Sequence, residues 1–198
     1  MSRFNNILQS FHSIMEGNDP VIQYDPNEFD SFIVAPNKLD DQALFAIADL
    51  FDGKVSAENF NHTDVIDQKS PNTSDKITES LAIAYITKDG IPVAACTLRD
   101  PTQVNYDGIV SNDYYELKSG VSLENRLEQE FFEVHPDYHD QGLAMELRRL
   151  VSSVVDKTFT VIGAGDQSKS IGLEKAGFEP VAAFNVDWTN EPVLLWIN

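Results

Sequence analysis

The fold of this chain is decided by one stretch, residues 132–144, which has the sequence FEVHPDYHDQGLA. The pattern predicts a strand, a tight turn, and a helix that starts near Gly142. The first amides of a helix have no partner within the helix, and the helix dipole makes that end attractive to anions. Gly142 has no Cβ, so a phosphate could approach its backbone closely. The same pattern also occurs where a strand-to-helix turn uses glycine for its geometry alone, so by itself it leaves both interpretations open.

The segments on either side of this stretch alternate between strand-like and helix-like patterns. Asp89-Gly90 predicts a hairpin turn between two of the strands, and residues 102–124 are interpreted as an extended loop. The predicted strands are Phe32–Val34, Leu81–Ile86, Ile91–Leu98, Leu127–Val134, Phe159–Ile162, Val181–Phe184 and Val193–Trp196, and the predicted helices are Leu39–Phe51, Gly142–Lys157 and Ser168–Ala176, the last capped by Gly177. This order predicts an α/β (α+β) domain.

An additional helix is predicted ahead of this domain. Apolar residues recur at helical spacing between Phe4 and Met15, and Gly17 ends the pattern. A polar linker follows, so we expect residues 1–29 to form an N-terminal helix and linker and residues 30–198 to form the main domain. The helix could dock on its own domain or on another subunit, which would give a homo- or hetero-oligomer. Residues 54–76 have the composition of a long loop with one short helix.

The formal net charge of −18 limits the partners of the chain. Binding to nucleic acid phosphates needs clustered Lys and Arg, so we expect no nucleic-acid partner. Such a charge would attract a cationic partner, such as an amine or a basic peptide, although it also serves solubility or adaptation to salt. Mimicry of DNA is a further alternative, but the acidic residues show no regular phosphate-like spacing.

Several other classes of protein are disfavoured by composition. No run of roughly 18 apolar residues predicts a membrane span, and the N-terminus has no secretory pattern. Cys96 is the single cysteine, so an internal disulfide or a zinc cluster around it is not expected. The four histidines match no metal motif. The simplest expectation is a cytoplasmic protein without a metal.

Two blocks of the sequence resemble motifs of one superfamily. Residues 139–144, HDQGLA, resemble the acyl-CoA signature of the GNAT superfamily (GCN5-related N-acetyltransferases), which has Arg or Gln, two residues, Gly, one residue, then Gly or Ala. Residues 134–138 match the usual lead-in to that signature. Residues 172–178, GLEKAGF, resemble the late helix of the family that ends in Gly-Phe. The resemblance covers about residues 30–198.

The resemblance implies a mixed, mostly antiparallel sheet flanked by helices, with acetyl-CoA as acyl donor. The strand that ends at Val134 would diverge from the next strand, Phe159–Ile162, and the gap would admit the pantetheine arm. Main-chain groups of Phe132 and Val134 would pair with that arm, and amides from Gln141 to Ala144 would hold the pyrophosphate. The acceptor amine would enter from the opposite side, near residues 102–124. The implied cofactor-binding residues are Phe132, Val134, His139, Asp140, Gln141, Gly142, Leu143 and Ala144.

Glu128 is the candidate general base. It lies six residues before Val134, where several members of the superfamily have a strand glutamate. A base is needed because a protonated amine cannot attack a thioester, and a carboxylate can accept that proton. The alternative is that Glu128, Glu130 and Glu133 are solvent-facing strand carboxylates. Strand alternation predicts that Glu128 and Glu130 share one face and that Glu133 lies on the other.

Two positions depart from the pattern of the superfamily and keep a second function open. His139 stands where Arg or Gln is usual, and Leu173 stands where many members have a tyrosine. The first hypothesis is an acetyl-CoA-dependent N-acetyltransferase in which a small amine or basic peptide attacks the thioester directly. The alternative is a non-catalytic GNAT-fold module with a binding or structural role, such as an assembly component or a viral accessory protein.

Arg148 and Arg149, on the helix after the turn, could contact a ribose phosphate.

Overall fold

The computed structural model describes residues 22–24, 29–52, 77–103, 105–106 and 109–198. These residues contain ten strands and four α-helices of nine or more residues, and Ile77 and Thr78 are also helical. The predicted N-terminal helix and the predicted loop at 54–76 lie outside the described residues. The strands are β1 Ile22–Tyr24, β2 Phe29–Val34, β3 Ala82–Lys88, β4 Ile91–Arg99, β5 Asn105–Tyr106, β6 Ile109–Val110, β7 Leu127–Val134, β8 Thr158–Gly163, β9 Glu179–Asn185 and β10 Pro192–Ile197. The α-helices are α1 Asp41–Phe51, α2 Ser111–Ser119, α3 Leu143–Ser152 and α4 Gln167–Lys175, and short 3-10 helices cover Pro36–Lys38 and Pro136–Tyr138.

Eight of the strands form one sheet in the order β1-β2-β3-β4-β7-β8-β10-β9. Among these strands, β7 and β8 pair in parallel, and the other neighbours pair antiparallel. The sheet is therefore mixed and mostly antiparallel, as expected. Strand β1 lies within the segment predicted as a linker and pairs along β2 at the sheet edge.

The hairpin between β3 and β4 forms where the Asp-Gly pair predicts it. Asp89 and Gly90 have φ values of 53° and 79°. A two-residue hairpin turn of the I′ type needs positive φ at both central positions, and Asp-Gly adopts it with little strain. Lys88 and Ile91 pair directly across the turn, so the turn sets the register of the two central strands.

Helices cover both faces of the sheet because β3 and β4 are apolar on both sides. On one face, α3 packs on a core cluster that includes Ala84, Cys96 and Leu98. On the other face, α1 packs on Ile83 and Ala95. Helix α1 begins after Asp40, whose carboxylate accepts a hydrogen bond from the amide of Ala43 at 2.7 Å, as an N-cap residue does. This helix is the longest in the described segments at 11 residues, and none of them could cross a bilayer, which takes about 20 apolar residues.

The prediction of an extended loop at residues 102–124 is wrong. The segment contains the two-stranded β5–β6 sheet and helix α2, which ends at Gly120 in the left-handed conformation. The buried side of α2 consists of Ser111, Tyr114 and Tyr115. A helix that buries one serine and two tyrosines lacks the aliphatic spacing by which amphipathic helices are recognised in a sequence. Tyr115 packs edge-on against Phe159 of β8, which places α2 beside the junction of β7 and β8.

Candidate functional site

Strands β7 and β8 begin as neighbours and then part. They pair only at Leu127 with Thr158 and at Glu128 with Phe159. Beyond these pairs, β7 continues along β4 while β8 continues along β10. The predicted divergence of the two strands is therefore present. It opens a cleft with a cavity volume of about 120 Å³, lined by residues 128–133 and 160–163 together with Tyr115, Arg148 and Lys169.

A β-bulge in β7 shapes one wall of this cleft. Thr97 pairs with Glu130 and Ala95 pairs with Glu133, so Phe131 and Phe132 together lie opposite Cys96. Phe131 has a φ of 50°, which is unusual for a bulky residue and is typical of a strained, over-determined position. Its ring stacks on Phe51 of α1 at a centroid distance of 5.3 Å. Phe132 packs on the opposite face, against the α3 cluster.

The bulge changes the side of the sheet on which Glu133 lies. Paired residues of an antiparallel ladder point to the same face. Glu128, Glu130 and Glu133 pair with Arg99, Thr97 and Ala95, which alternate along one face of β4. The prediction that Glu133 lies on the other face is wrong, because one extra residue in the bulge reverses the alternation after Glu130. Three carboxylates therefore share the face covered by α1 and α2.

Glu128 is buried at the closed end of the cleft, with 3% of its surface exposed. The hydroxyl of Ser111 donates a hydrogen bond to its carboxylate at 3.0 Å. Burial, and then the negative charge of Glu130, raise the pKa of Glu128 to about 8, against smaller lowering effects of Arg99 and of Ser111. The nearby Arg99 forms its ion pair with Glu130. A carboxyl group with such a pKa can exchange a proton near neutral pH.

Glu133, at the open end of the cleft, is also buried. It accepts a hydrogen bond at 3.2 Å from Lys169, at the start of α4. Desolvation raises the pKa of Glu133, and Lys169 opposes this. Exposure to solvent, the alternative interpretation of the strand carboxylates, is therefore wrong for both Glu128 and Glu133.

The turn between β7 and α3 contains main-chain donors that lack an acceptor in the described part of the chain. Gly142 precedes the helix with a φ of 81°, and no side chain caps it. Within the described segments, the amides of Gln141, Gly142, Leu143 and Ala144 meet no hydrogen-bond acceptor. A Cβ placed on Gly142 would have no heavy atom of the described residues within 4 Å, so those residues leave the space above this backbone open. Such a set of amides at a helix start fits a phosphate or diphosphate group.

The side chains of this turn have other surroundings. Leu143 is buried and packs in the core cluster, so its side chain does not face the space above the turn. The side-chain amide of Gln141 donates a hydrogen bond to the carbonyl oxygen of Asp137 at 3.3 Å. Asp140 has a φ of 63° and an exposed side chain. The segment therefore offers a ligand its backbone rather than its side chains.

His139 contacts a main-chain group that was expected to pair with the cofactor arm. The amide of His135 donates to Val93 of β4 at 2.8 Å. Because peptide groups alternate along a strand, those of Val134 then face the gap between β7 and β8. His139 Nε2 lies 2.9 Å from the carbonyl oxygen of Val134. An arm that used this oxygen would have to share it with the imidazole or displace the ring.

Two residues that sequence analysis did not place in the site contribute to it: Ser111 donates a hydrogen bond to Glu128, and Arg148 lines the cleft. Ser111 lies in the segment that was predicted to be a loop, so its position in a helix was not foreseen. Arg148 lies over the ring of Phe132 at 4.0 Å and lines the cleft. The sequence does contain a signal for this position of Arg148. It lies four residues after Ala144 and three before Val151, and residues with these spacings share one face of a helix. Arg149, by contrast, pairs with Glu146 and has 55% of its side chain exposed.

Leu173 lies outside the cleft. It is fully buried in a cluster with Ile162, Phe178 and Trp196. The position that carries a tyrosine in many members of the superfamily is therefore a core position in this chain. Asp166 accepts a hydrogen bond from the amide of Lys169 at 3.0 Å and so caps α4.

Comparison with known proteins identifies the fold. No family model matches the chain, and no curated protein matches it in sequence. Solved structures do match, among them the ribosomal-protein-S18-alanine N-acetyltransferase of Escherichia coli, with a TM-score of 0.52 and 14% identity over 84% of this chain and 92% of that chain. A chain from Salmonella typhimurium solved with its cofactor acetyl-CoA matches with a TM-score of 0.53 and 13% identity over 85% of this chain and 92% of that one. A GNAT-family structure from Desulfovibrio desulfuricans matches with a TM-score of 0.57 and 11% identity over 86% of this chain and 98% of that one. The chain has the GNAT fold.

Proposed function

We propose that this protein is an N-acyltransferase that uses acetyl-CoA and transfers the acyl group to an amine. The observation that carries the proposal is the parted pair β7 and β8, with a buried Glu128 at the closed end and unbonded amides near the open end. A fold alone does not define a function, so the proposal depends on this arrangement of groups. The likeness to acetyltransferase structures agrees with it.

The cleft would hold the acyl donor through main-chain groups. Amides of Gln141, Gly142, Leu143 and Ala144 would bind the diphosphate at the start of α3, where the helix dipole adds to the attraction. Phe132 and Val134 would pair with the pantetheine arm in the place of a missing strand. His139 and Asp140 complete the turn, with His139 sharing the carbonyl of Val134. When bound, the thioester supplies an acyl group that passes to the amine nitrogen as its C–S bond breaks and CoA leaves.

Glu128 would be the catalytic base. It would accept the proton of an acceptor ammonium group, directly or through a water molecule, so that the nitrogen lone pair becomes available for attack. Its raised pKa keeps it within range of proton exchange near neutral pH. Ser111 would orient the carboxyl group through its hydrogen bond.

The acceptor would be a small amine or a basic peptide. It would approach from the face of α2, where Tyr115 lines the cleft and the glutamates of β7 point. Carboxylates on the approach attract a cationic nitrogen and disfavour an anionic acceptor.

Release of CoA tests this proposal. The full chain is incubated with acetyl-CoA and a panel of primary amines and basic peptides, and free thiol is measured. We expect amine-dependent CoA release that Glu128→Gln abolishes and that Glu124→Gln preserves, since Glu124 is exposed and outside the cleft. Binding of acetyl-CoA without transfer to any amine would instead support the non-catalytic GNAT-fold module. Absence of both binding and release would overturn the proposed site.

A further inference from the structure

Arg148 is a buried cation that pairs with no carboxylate among the described residues. It is 7% exposed, on the face of the sheet opposite the three glutamates. Its guanidinium lies between two aromatic rings, 4.0 Å from the centroid of Phe132 and 5.2 Å from that of Phe178. Its one hydrogen bond to a described residue goes to the neutral side-chain oxygen of Gln129, at 3.2 Å. No carboxylate of the described segments pairs with it.

This environment leaves the charge incompletely compensated. Burial lowers the pKa of Arg148 to about 10, and the weak opposing influence comes from Cys96, a thiol rather than a carboxylate. The cation–π contacts and the one neutral acceptor offset part of the free-energy cost of removing the charge from water. A buried charge ordinarily needs an ionic partner as well. A guanidinium has five donors in a planar fork, a geometry that suits a carboxylate. The group therefore has free capacity for an anion that enters the cleft, which Arg148 lines.

The position of Arg148 indicates which end of a ligand would meet it. Helix α3 rises about 1.5 Å per residue, so the backbone of Arg148 lies roughly 7 Å further along the helix axis than that of Leu143 at the helix start. Its partner Gln129 follows Glu128, the last residue of β7 that pairs with β8. An acyl-CoA whose diphosphate lies at the open end would direct its acyl group towards this closed end.

We propose that Arg148 binds the terminal carboxylate of a dicarboxylic acyl group, so that the preferred donor is an acyl-CoA whose acyl chain ends in a carboxylate. The inference rests on the proposed function, since it assumes that the cleft holds a CoA thioester. It names a donor class that acetyl-CoA does not represent. The carboxylate belongs to the donor rather than to the acceptor, because Arg148 lies on the α3 face and the acceptor approaches from the α2 face.

Matched thioesters test the inference without any requirement for turnover. Freshly prepared succinyl-CoA and butyryl-CoA have acyl chains of equal length and differ in the terminal charge. Their affinities are measured by calorimetry with the wild-type chain, Arg148→Met and Arg149→Met. The last variant removes the adjacent guanidinium, which is exposed and outside the cleft.

We expect the wild-type chain to bind succinyl-CoA roughly 10- to 100-fold more tightly than butyryl-CoA, the range for a hydrogen bond to a charged group. Arg148→Met should bind the two within about twofold of each other, and Arg149→Met should keep the preference. Without ligand, Arg148→Met should melt at the same or a higher temperature than the wild type, because an apolar chain replaces a desolvated charge. The melting curve also reports whether the variant is folded.

Equal affinity of the wild-type chain for both thioesters, or a preference that survives in Arg148→Met, would overturn the inference. If CoA and butyryl-CoA bind and succinyl-CoA has no advantage, this inference alone fails. If CoA and both thioesters fail to bind, the proposed function fails as well, so the two failures are distinguishable.

Discussion

Glu128 combines two properties that an ordinary strand glutamate lacks: it is buried, and it lies at the junction from which two strands part. Water that would stabilise its charge is excluded, and Glu130 adds a like charge along the same face. Both effects favour the protonated form. A base of this kind becomes active near neutral pH rather than at pH 4 to 5.

Replacement of the proposed base should remove most of the activity. Glu128→Gln keeps the shape of the side chain but cannot accept the proton, so kcat/KM should fall by about 10²- to 10⁴-fold. In the wild type, kcat/KM should increase as pH rises through about 8, because the deprotonated carboxylate is the active form. Initial rates over a pH series check both expectations, with Glu124→Gln as control. Wild-type activity in Glu128→Gln would exclude Glu128 as the base.

Ser111 should act by positioning Glu128. Its hydrogen bond lowers the pKa of the carboxyl group, so Ser111→Ala should raise that pKa further and move the pH–rate profile to higher pH. Activity well above the midpoint should change little, since the base is retained. The measurement is the midpoint of kcat/KM against pH, with the exposed Ser122→Ala as matched control. An unshifted midpoint in Ser111→Ala would contradict this role.

The turn from β7 to α3 is the element that most directly reflects its sequence. Gly142 adopts a positive φ of 81° immediately before the helix, a conformation that costs most other residues roughly 1–2 kcal/mol. The same local requirement exists at Gly177, after α4, where φ is 84°. The first glycine lies beside unbonded amides, and the second follows a helix end far from them in the chain. Substitution of these two glycines therefore distinguishes the effect of backbone strain, which both positions share, from the effect of ligand contact, which is expected only at Gly142.

Gly142→Ala and Gly177→Ala should therefore differ in binding but not in stability. Neither added Cβ meets a heavy atom of the described residues within 4 Å, so each variant should lose about 1–2 kcal/mol of unfolding free energy from strain alone. Only Gly142→Ala should also weaken CoA binding, because its methyl group would occupy the space through which a phosphate approaches. Urea unfolding and calorimetry with CoA measure the two effects. Equal CoA affinity in the two variants would place the phosphate site elsewhere.

Elements with strong local chemistry were predictable, and those defined by contacts were not. The Asp89-Gly90 hairpin, the apolar faces of α1 and α3, and the glycine-opened turn each follow from a few neighbouring residues. The α2 helix was missed because its buried residues are Ser111, Tyr114 and Tyr115, whose packing partners come from other parts of the chain. The bulge at Phe131 and Phe132 was not predicted, because two consecutive phenylalanines also occur in regular strands. The bulge is defined by its tertiary contacts: the two residues lie opposite Cys96, and the ring of Phe131 stacks on Phe51.

For the whole molecule, a net charge of −18 acts together with the glutamates in the cleft. If the acceptor is a cationic amine, kcat/KM for that amine at saturating thioester should fall several-fold as ionic strength rises from about 0.01 to about 0.5 M, since salt screens long-range attraction. An amine that is uncharged at the assay pH is the control and should show a much smaller change. If kcat/KM for the cationic amine did not depend on ionic strength, long-range electrostatic attraction would not contribute to the selection of the acceptor.

The sequence by itself determined the order of the seven strands β2, β3, β4, β7, β8, β9 and β10 and of helices α1, α3 and α4, together with the hairpin and the glycine-containing turn at 139–144, because these depend on periodicity and on backbone preferences within a few residues. The tertiary structure decided that Glu133 shares a face with Glu128, that Glu128 is buried against Ser111, and that Arg148 enters the cleft beside Gln129. Burial and ionisation arise from groups that are distant in the chain and adjacent in space. Local patterns contain no information about which distant groups those are.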